Sequence, residues 1–238
     1  MPDPSTEARL REMRDMARSI FCYALEQASI ANAFARHVNC ERGILRVRED
    51  LYDLQSYSGV LVISLGKAAH SMAEALAGQV GHSLEGIVAA SVEPASQLRG
   101  FRYFRGGHPT PNEASIQAAT AILRALEART ATSLVLFLLS GGGSSIVEKP
   151  IDDEISLDDL VASYRALVHS GAPIAEMNAI RKHLSAVKGG RLAKAAFPAQ
   201  QVSLLVSDVP DSTPDALASG PTIHDSTSVE DCFRVVEK

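Results

Sequence analysis

The amino-acid sequence predicts an α/β fold in which a doubly wound, mostly parallel sheet carries helices on both faces. Apolar runs of strand length alternate with amphipathic segments of helix length, which is the pattern of successive β–α–β units. The strongest strand signal, LVLFLL at residues 134–139, is apolar throughout, as expected for a strand buried on both faces. The 238 residues, 46% hydrophobic and 21% charged, have a globular composition and fit a single domain over residues 1–238.

The N-terminal part is predicted to begin with a helix over residues 5–40, because apolar side chains recur there about every 3.6 residues. Two short strands follow within residues 43–55, on either side of a charged turn at residues 48–50. The next elements are, in order, a strand at 60–64, a turn at 66–67, a helix at 68–76 and a strand at 86–92.

The second half is predicted to open with a helix that runs to about residue 128. Its start fits a capping box, with Thr110 as N-cap, Pro111 at the first helical position and Glu113 three residues on. After the strand at 134–139 come a helix near 157–169 capped by Ser156, a helix at about 175–187 ended by Gly189 and Gly190, a strand at 201–207, and a helix after Ser228.

Charge, hydropathy and cysteine content argue against several classes of protein. The net charge of −5 does not favour a nucleic-acid partner. No apolar stretch approaches the ~18 residues of a membrane span, and residues 1–19 lack the apolar core of a secretory signal. Cys22, Cys40 and Cys232 form no CxxC pair and are interpreted as reduced thiols. We therefore expect a cytoplasmic protein without membrane or nucleic-acid partners.

A glycine-rich loop follows the strand at 134–139 directly. It consists of Ser140, Gly141, Gly142, Gly143, Ser144 and Ser145. The three glycines carry no Cβ, so an anion can approach the main-chain N–H groups closely, and the serine hydroxyls add donors. The loop matches neither the GxGxxG dinucleotide fingerprint nor the GxSxG nucleophile elbow. We predict that residues 140–145 bind a phosphate or a carboxylate.

Lys67 lies in the turn between a buried strand and the start of a helix. A cation is unfavourable at a helix N-terminus unless an anion joins it, so we predict that Lys67 binds phosphate. A solvent-exposed turn lysine is the alternative. The segment is not a Walker A loop, because Ala68 stands where a Ser or Thr would hold magnesium.

Asp208 ends the strand at 201–207 and begins the turn-rich segment 208–222. A carboxylate there could hold magnesium or accept a hydroxyl proton, and a turn or helix cap is the alternative. Asp211 and Asp215 follow closely, which is compatible with a magnesium site but does not specify one. Because carboxyl ends of parallel strands share one sheet edge, Lys67, the glycine-rich loop and Asp208 are predicted to converge in one cleft.

The helix at 175–187 has two distinct faces. Its predicted buried stripe consists of Met177, Ile180, Leu184 and Val187. The opposite strip carries Asn178, Arg181, Lys182 and Ser185. We predict that Asn178 and Arg181 contribute to anion binding, whereas a solvated basic face is the alternative.

His108 precedes the capped helix and is interpreted as a structural histidine. A Ser144–His108–Asp208 triad can be written down, but nothing in the spacing supports it.

Five segments together resemble the glycerate 2-kinase family, whose N-terminal half is a Rossmann-like domain. They occur in family order and are LGKAAHSMAEAL at 65–76, GGHPTPNEASIQAA at 106–119, LLSGGGSSIV at 138–147, MNAIRKHLSAVKGGRLA at 177–193 and SDVPDSTPDALASGPT at 207–222. Because all five motifs occur, and in the same order as in the family, together they indicate the family more specifically than any one motif would alone.

The resemblance implies transfer of the ATP γ-phosphoryl group to the 2-hydroxyl of D-glycerate, with Mg²⁺, to give 2-phosphoglycerate. The family's catalytic lysine corresponds to Lys67, and its strand-ending aspartate corresponds to Asp208, which would orient the acceptor hydroxyl or magnesium. Phosphoryl transfer depends on positioning and charge neutralisation, which these groups would supply.

Family members are longer and carry a second domain that closes the cleft. The chain is therefore expected to represent the N-terminal domain alone, and to work as a homo-oligomer or with the missing domain. Two alternatives remain at this point. One is a nicotinamide-dependent hydroxypyruvate reductase, against which the absent GxGxxG counts. The other is a non-catalytic ligand-binding domain of a truncated kinase.

Overall fold

The computed structural model describes residues 4–81, 84–210 and 212–237. Its helices are α1 Pro4–Gln27, α2 Ile30–His37, α3 Ala69–Val80, α4 Glu113–Glu127, α5 Gly143–Ile146, α6 Leu157–His169, α7 Ile174–His183, α8 Arg191–Ala196 and α9 Val229–Val236. Its strands are β1 Val38–Glu41, β2 Ile44–Val47, β3 Asp50–Asp53, β4 Gly59–Leu65, β5 Glu85–Ala90, β6 Phe101–Arg105, β7 Ser133–Ser140 and β8 Gln200–Val206. Short 3-10 helices cover Leu54–Ser56 and Pro214–Ser219.

A five-stranded parallel sheet in the order β6-β5-β4-β7-β8 forms the centre of the fold. Alternate residues of its strands face two separate apolar cores. Leu61, Ile63 and Phe137 pack with α4 and α8 on one face, whereas Val62 and Leu136 pack with α3 on the other. The predicted doubly wound α/β fold is therefore confirmed.

The register of the central strands aligns their carboxyl ends. Leu65 at the end of β4 pairs with Leu139 near the end of β7, and Ser140 pairs with Val206 at the end of β8. The loops that follow these three strands consequently leave the sheet at one edge, which is the arrangement that the sequence predicts.

A small antiparallel sheet of β1, β2 and β3 precedes the main sheet. The predicted helix over residues 5–40 is wrong in two places: residues 28–29 separate α1 from α2, with Ser29 as the N-cap of α2, and the helical part ends at His37, since Val38–Glu41 forms β1. The β1–β2 turn has left-handed backbone at Arg42 and Gly43, with φ of 53° and 84°. Such a turn matches the twist of a two-residue hairpin, and it brings the chain back along β1.

The structure differs from the sequence prediction at two further places in the middle of the chain. The edge strand β6, Phe101–Arg105, was not predicted, because its arginines are exposed and it lacks a continuous apolar run. Helix α4 is capped by Asn112 and not by Thr110: the Asn112 side chain accepts from the Ser115 N–H, and the Ser115 hydroxyl accepts from the Asn112 N–H. Asn is as good an N-cap as Thr, and the Asn112–Ser115 spacing also forms a capping box.

Helix α1 exposes its apolar stripe. Its large apolar side chains are all at least 46% exposed, namely Leu10, Met13, Met16, Ile20, Phe21, Tyr23 and Leu25. Among the described residues, no helix is long and apolar enough to cross a bilayer.

Candidate active site

The carboxyl edge of the parallel sheet brings Lys67, the glycine-rich loop and Asp208 together. Lys67 follows β4, and its N–H donates to the Gly141 carbonyl 2.9 Å away, which joins the β4 and β7 loops. Asp208 follows β8, and its carboxylate lies directly against Gly141. The predicted convergence of Lys67, the glycine-rich loop and Asp208 is present in the structure, and anion binding by the loop stays a prediction.

Each glycine of the loop makes room for a different neighbour. A Cβ at Gly141 would collide with the Asp208 carboxylate. A Cβ at Gly142 would lie 3.1 Å from the Lys67 side chain, and Gly142 also has a left-handed φ of 82°. A Cβ at Gly143 would lie 2.8 Å from the Ala218 Cβ. The Cβ-free surface therefore lets side chains from β4 and β8 approach the loop backbone.

The loop backbone offers unused donors. Within the described part of the chain, the N–H groups of Gly141, Gly142 and Gly143 donate no hydrogen bond. The exposed Lys67 ammonium has no ion-pair partner among the described residues. A cation beside unpaired amides is the donor set that a phosphate or carboxylate requires.

The three serines of the loop have different surroundings. The Ser140 hydroxyl is buried, accepts from the Ala68 N–H at 3.1 Å and donates to the Leu65 carbonyl at 3.3 Å. These bonds hold the β7 loop against the β4 loop and use up the one proton of the hydroxyl. Ser145 lies 3.0 Å from His108 Nδ1, and Ser144 lies 2.9 Å from the Ser219 hydroxyl. Because His108 pairs with Ser145 and not Ser144, the geometry does not form the Ser144–His108–Asp208 triad.

Asn178 reaches the loop through a serine that the sequence reasoning did not single out. The Ser219 hydroxyl lies 2.9 Å from Ser144 and donates to Asn178 Oδ1 at 3.3 Å. Ser219 is 1% exposed, with a left-handed φ of 60°, and follows Ala218 at 51°. Left-handed backbone costs an L-residue about 1–2 kcal/mol, so this segment holds a strained conformation beside the loop. Its only signal in the sequence was the length of the segment 208–222.

Helix α7 presents its polar strip inward. Asn178 and Lys182 are buried, whereas the predicted stripe residues Met177, Ile180 and Leu184 are only half-buried. The prediction of which face is buried is therefore wrong for these positions. Hydrogen bonds and ion pairs to the 208–225 segment replace the apolar contacts, since buried polar groups need partners.

Arg181 stacks its guanidinium over the Tyr164 ring, 5.1 Å from the ring centre. Its Nε is buried and has no hydrogen-bond partner. Whether Arg181 contacts a ligand stays a prediction. An unpaired buried N–H is a donor that a bound water or anion would satisfy.

A buried charged cluster lies between α6 and the segment that follows α7. Glu148, two residues after α5, accepts hydrogen bonds from Tyr164, Lys188 and Ser185. Glu148 and Lys188 are 0% and 1% exposed. Burial raises the pKa of Tyr164 and lowers the pKa of Lys188, although the Glu148 carboxylate opposes the second shift. The cluster joins α5, α6 and the segment before α8.

A second cluster holds the segment that carries Asp208 and Ser219. The buried Lys182 ammonium lies 2.7 Å from Asp215 and 3.4 Å from Asp225. Burial alone would raise the pKa of Asp225, but hydrogen bonds from Thr227 and the Lys182 ammonium lower it below its usual range. These contacts tie α7 to residues 215–227.

Asp225→Asn is expected to reduce the free energy of unfolding by about 1–3 kcal/mol at pH 7, because the carboxylate holds a buried cation. A group whose folded pKa is lowered stabilises the fold above its unfolded pKa and loses that effect as the pH falls through the folded pKa. The difference between wild type and variant should therefore shrink below about pH 4. Urea denaturation at pH 7 and pH 3 measures it. Asp153→Asn, at a 99% exposed carboxylate, is the matched control; a difference that stays constant with pH would contradict the argument.

The Asp208 carboxylate is the type of oxygen ligand that Mg²⁺ takes in proteins. Mg²⁺ in phosphate-transfer sites commonly takes one or two carboxylates, with phosphate oxygens and waters completing the shell. Asp208 supplies one carboxylate beside the Cβ-free loop, and among the described residues no group of three acidic, histidine or cysteine side chains forms a further cage. Asp211 lies outside the described residues, and Asp215 is engaged by Lys182.

A parallel sheet with a glycine-rich loop, a lysine and a carboxylate at its carboxyl edge has the architecture of the α/β domains that bind ligands at that edge. The chain belongs to the family described as "Domain of unknown function (DUF4147)", whose model matches residues 16–238. It is 40% identical over 181 residues to a D-glycerate 2-kinase of Thermotoga maritima, covering 75% of this chain and 43% of that protein. The earlier resemblance to the glycerate kinases is thereby confirmed.

Two other comparisons qualify this match. A putative hydroxypyruvate reductase of Agrobacterium vitis is 42% identical over 179 residues, which cover 75% of this chain and 41% of that protein. The crystal structure of a Thermotoga maritima glycerate kinase superposes with a TM-score of 0.81 and 33% identity, over 95% of this chain and 52% of the other. The chain thus spans about two fifths of the length of the curated relatives it matches.

Proposed function

We propose that the cleft is the phosphoryl-transfer site of a glycerate kinase, which moves the γ-phosphoryl group of ATP to the 2-hydroxyl of D-glycerate. The observation that carries the proposal is the Lys67 ammonium, unpaired among the described residues, beside the unbonded amides of Gly141–Gly143. Phosphoryl transfer needs positioning and charge neutralisation more than covalent chemistry, and this donor set supplies both. The kinase names of relatives support the substrate assignment.

Each residue then has a defined task. Lys67 neutralises oxygens of the transferring phosphoryl group, and the glycine amides bind a phosphate or the glycerate carboxylate. Asp208 orients the attacking 2-hydroxyl or holds Mg²⁺, which when bound offsets phosphate charge. Asn178 supports the loop through Ser219, and Arg181 adds positive charge on α7.

A nicotinamide-dependent hydroxypyruvate reductase is the second candidate, since a relative carries that name as putative. Dinucleotide-binding sheets place an acidic residue at the end of the second strand to hold the ribose. Here β5 ends at Ala90, and the first acidic residue after it, Glu93, comes three residues beyond the strand end, so no acidic residue ends the strand itself. This favours the kinase. A domain that binds these ligands without turnover is the third reading.

The decisive assay couples ADP release to D-glycerate, ATP and Mg²⁺, with thermal shifts recorded for each ligand. We expect ADP release, and no loss of reduced-nicotinamide absorbance with hydroxypyruvate. Consumption of nicotinamide would instead support the reductase. Thermal shifts without turnover would support the ligand-binding domain, and silence in both assays would overturn the proposal.

We also propose self-association, or pairing with the rest of a longer kinase, because α1 exposes its apolar stripe. Light scattering of the chain is expected to give a mass above that of one copy, and a monodisperse monomer would contradict self-association.

A cytoplasmic location, which the three unpaired cysteines favour, stays a prediction.

A further inference from the structure

The loop after β6 also reaches the cleft, and it brings His108. A Cβ at Gly106 would collide with the Ile146 carbonyl, so the loop backbone lies directly on α5. The Gly107 N–H donates to the Ser115 hydroxyl at 3.0 Å, which holds the loop against the start of α4. The backbone of this segment is therefore fixed on both sides next to the glycine-rich loop.

The His108 ring is oriented by one hydrogen bond and faces the same glycine as Lys67. Its Nδ1 lies 3.0 Å from the Ser145 hydroxyl. A Cβ built at Gly142 would lie 3.4 Å from His108 Cε1 and 3.1 Å from the nearest Lys67 carbons, so both side chains pack against this glycine. Cε1 is bonded to Nε2, so the second ring nitrogen lies at the rim of the same Cβ-free surface.

Nε2 of His108 has no hydrogen-bond partner among the described residues, and the side chain is exposed. Burial of part of the ring and the nearby Lys67 ammonium lower the pKa of His108. The Ser145 hydroxyl has one proton, and its contact with His108 Nδ1 at 3.0 Å is shorter than its contact with the Gly142 carbonyl at 3.4 Å. With the serine proton on the shorter contact, Nδ1 accepts and the neutral imidazole carries its own proton on Nε2, which can then donate to a ligand.

We propose that His108 is a ligand-binding residue of this cleft, whose Nε2 hydrogen-bonds an oxygen of a bound phosphate or carboxylate and whose ring Ser145 holds in place. The inference deepens the proposed function, because both reactants of a glycerate kinase carry such oxygens. It distinguishes His108 from the structural histidine that the sequence indicates.

Isothermal calorimetry with inorganic phosphate, ADP–Mg²⁺ and D-glycerate, applied to the full chain, tests the inference without requiring turnover. His108→Ala is expected to weaken one of these ligands roughly 10-fold, as loss of one hydrogen bond to a charged group does. Ser145→Ala should weaken the same ligand less, because the ring loses its orientation and keeps its donor. Weakening of phosphate and ADP identifies a phosphate contact, and weakening of D-glycerate alone identifies a carboxylate contact.

His224→Ala is the matched control, since His224 is also exposed and its backbone lies against Gly190, at the start of α8. Unfolding midpoints of the variants should equal that of the wild type. Equal affinities of wild type and His108→Ala for all three ligands would overturn the inference and leave the kinase proposal intact. Weaker binding by His108→Ala, together with no ADP release by the wild type in the coupled assay, would support the inference and overturn the kinase proposal. Failure of the wild type to bind any of the ligands would overturn both.

Discussion

Replacing Lys67 with alanine is expected to lower the rate of phosphoryl transfer from ATP to D-glycerate by about 10²–10³-fold, the cost of losing one preorganised charge-stabilising group. The ammonium stands beside the unbonded glycine amides and has no carboxylate partner among the described residues, so its charge is available to a bound phosphoryl group. The free energy of unfolding should not change, because Lys67 is exposed. Coupled ADP release and urea denaturation measure the two quantities.

Lys194→Ala supplies the matched control, since Lys194 is an exposed lysine on α8. Lys67→Arg keeps the positive charge and changes the shape of the side chain. The Lys67 side chain packs so closely on Gly142 that a Cβ built there would lie 3.1 Å from it, and the wider guanidinium has to fit beside the same glycine. We expect only partial recovery. An unchanged rate in Lys67→Ala would remove Lys67 from the site.

Glu148→Gln is expected to lower the free energy of unfolding by about 3–5 kcal/mol, because it leaves the wholly buried Lys188 ammonium without a counter-charge. At about 2–4 °C per kcal/mol for a chain of this size, Tm should fall by roughly 6–20 °C. Urea denaturation and calorimetry provide the measurement. Tyr164→Phe, which removes a single hydrogen bond to the same carboxylate, should cost less, about 1.5–3 kcal/mol.

A double variant distinguishes a buried charge from simple packing. Glu148→Leu with Lys188→Met removes both charges and keeps the volume nearly constant, and buried ion pairs replaced in this way are often neutral. The double variant should therefore be more stable than Glu148→Gln. If it is the less stable of the two, the cost comes from lost packing and the electrostatic argument fails.

The sequence predicts the part of the fold that apolar patterning controls. Strands β4 and β7 are apolar and mostly buried, the edge strand β8 buries Val202 only, and the common carboxyl edge of the three strands places Lys67 and Asp208 together. The cap of α6 by Ser156 is also confirmed. Apolar patterning does not predict the buried face of α7, because that face is buried through the ion pairs of Lys182 with Asp215 and Asp225, which lie 33 and 43 residues further along the chain.

Two features of the site lay beyond local patterns. Ser219 joins Asn178 to the loop across 41 residues of sequence, and its left-handed backbone occurs at a residue type that does not signal it. The His108–Ser145 bond spans 37 residues and depends on an edge strand that the sequence did not indicate. Hydrogen bonds between residues so far apart in sequence do not produce a periodic pattern of residue types, so the sequence alone does not reveal them.

The three loop glycines have a consequence for how the family can vary. Each leaves space for its own neighbours: the Asp208 carboxylate at 141, the Lys67 stem and the His108 ring at 142, and Leu65 and Ala218 at 143. Relatives with a smaller residue in place of Asp208 should tolerate alanine at 141, whereas 143 requires both of its neighbours to be smaller and 142 has a left-handed φ of 82°. The triplet is thus best understood as three separate couplings between a glycine and its neighbours, and substitutions in an alignment of relatives should co-vary within each of them.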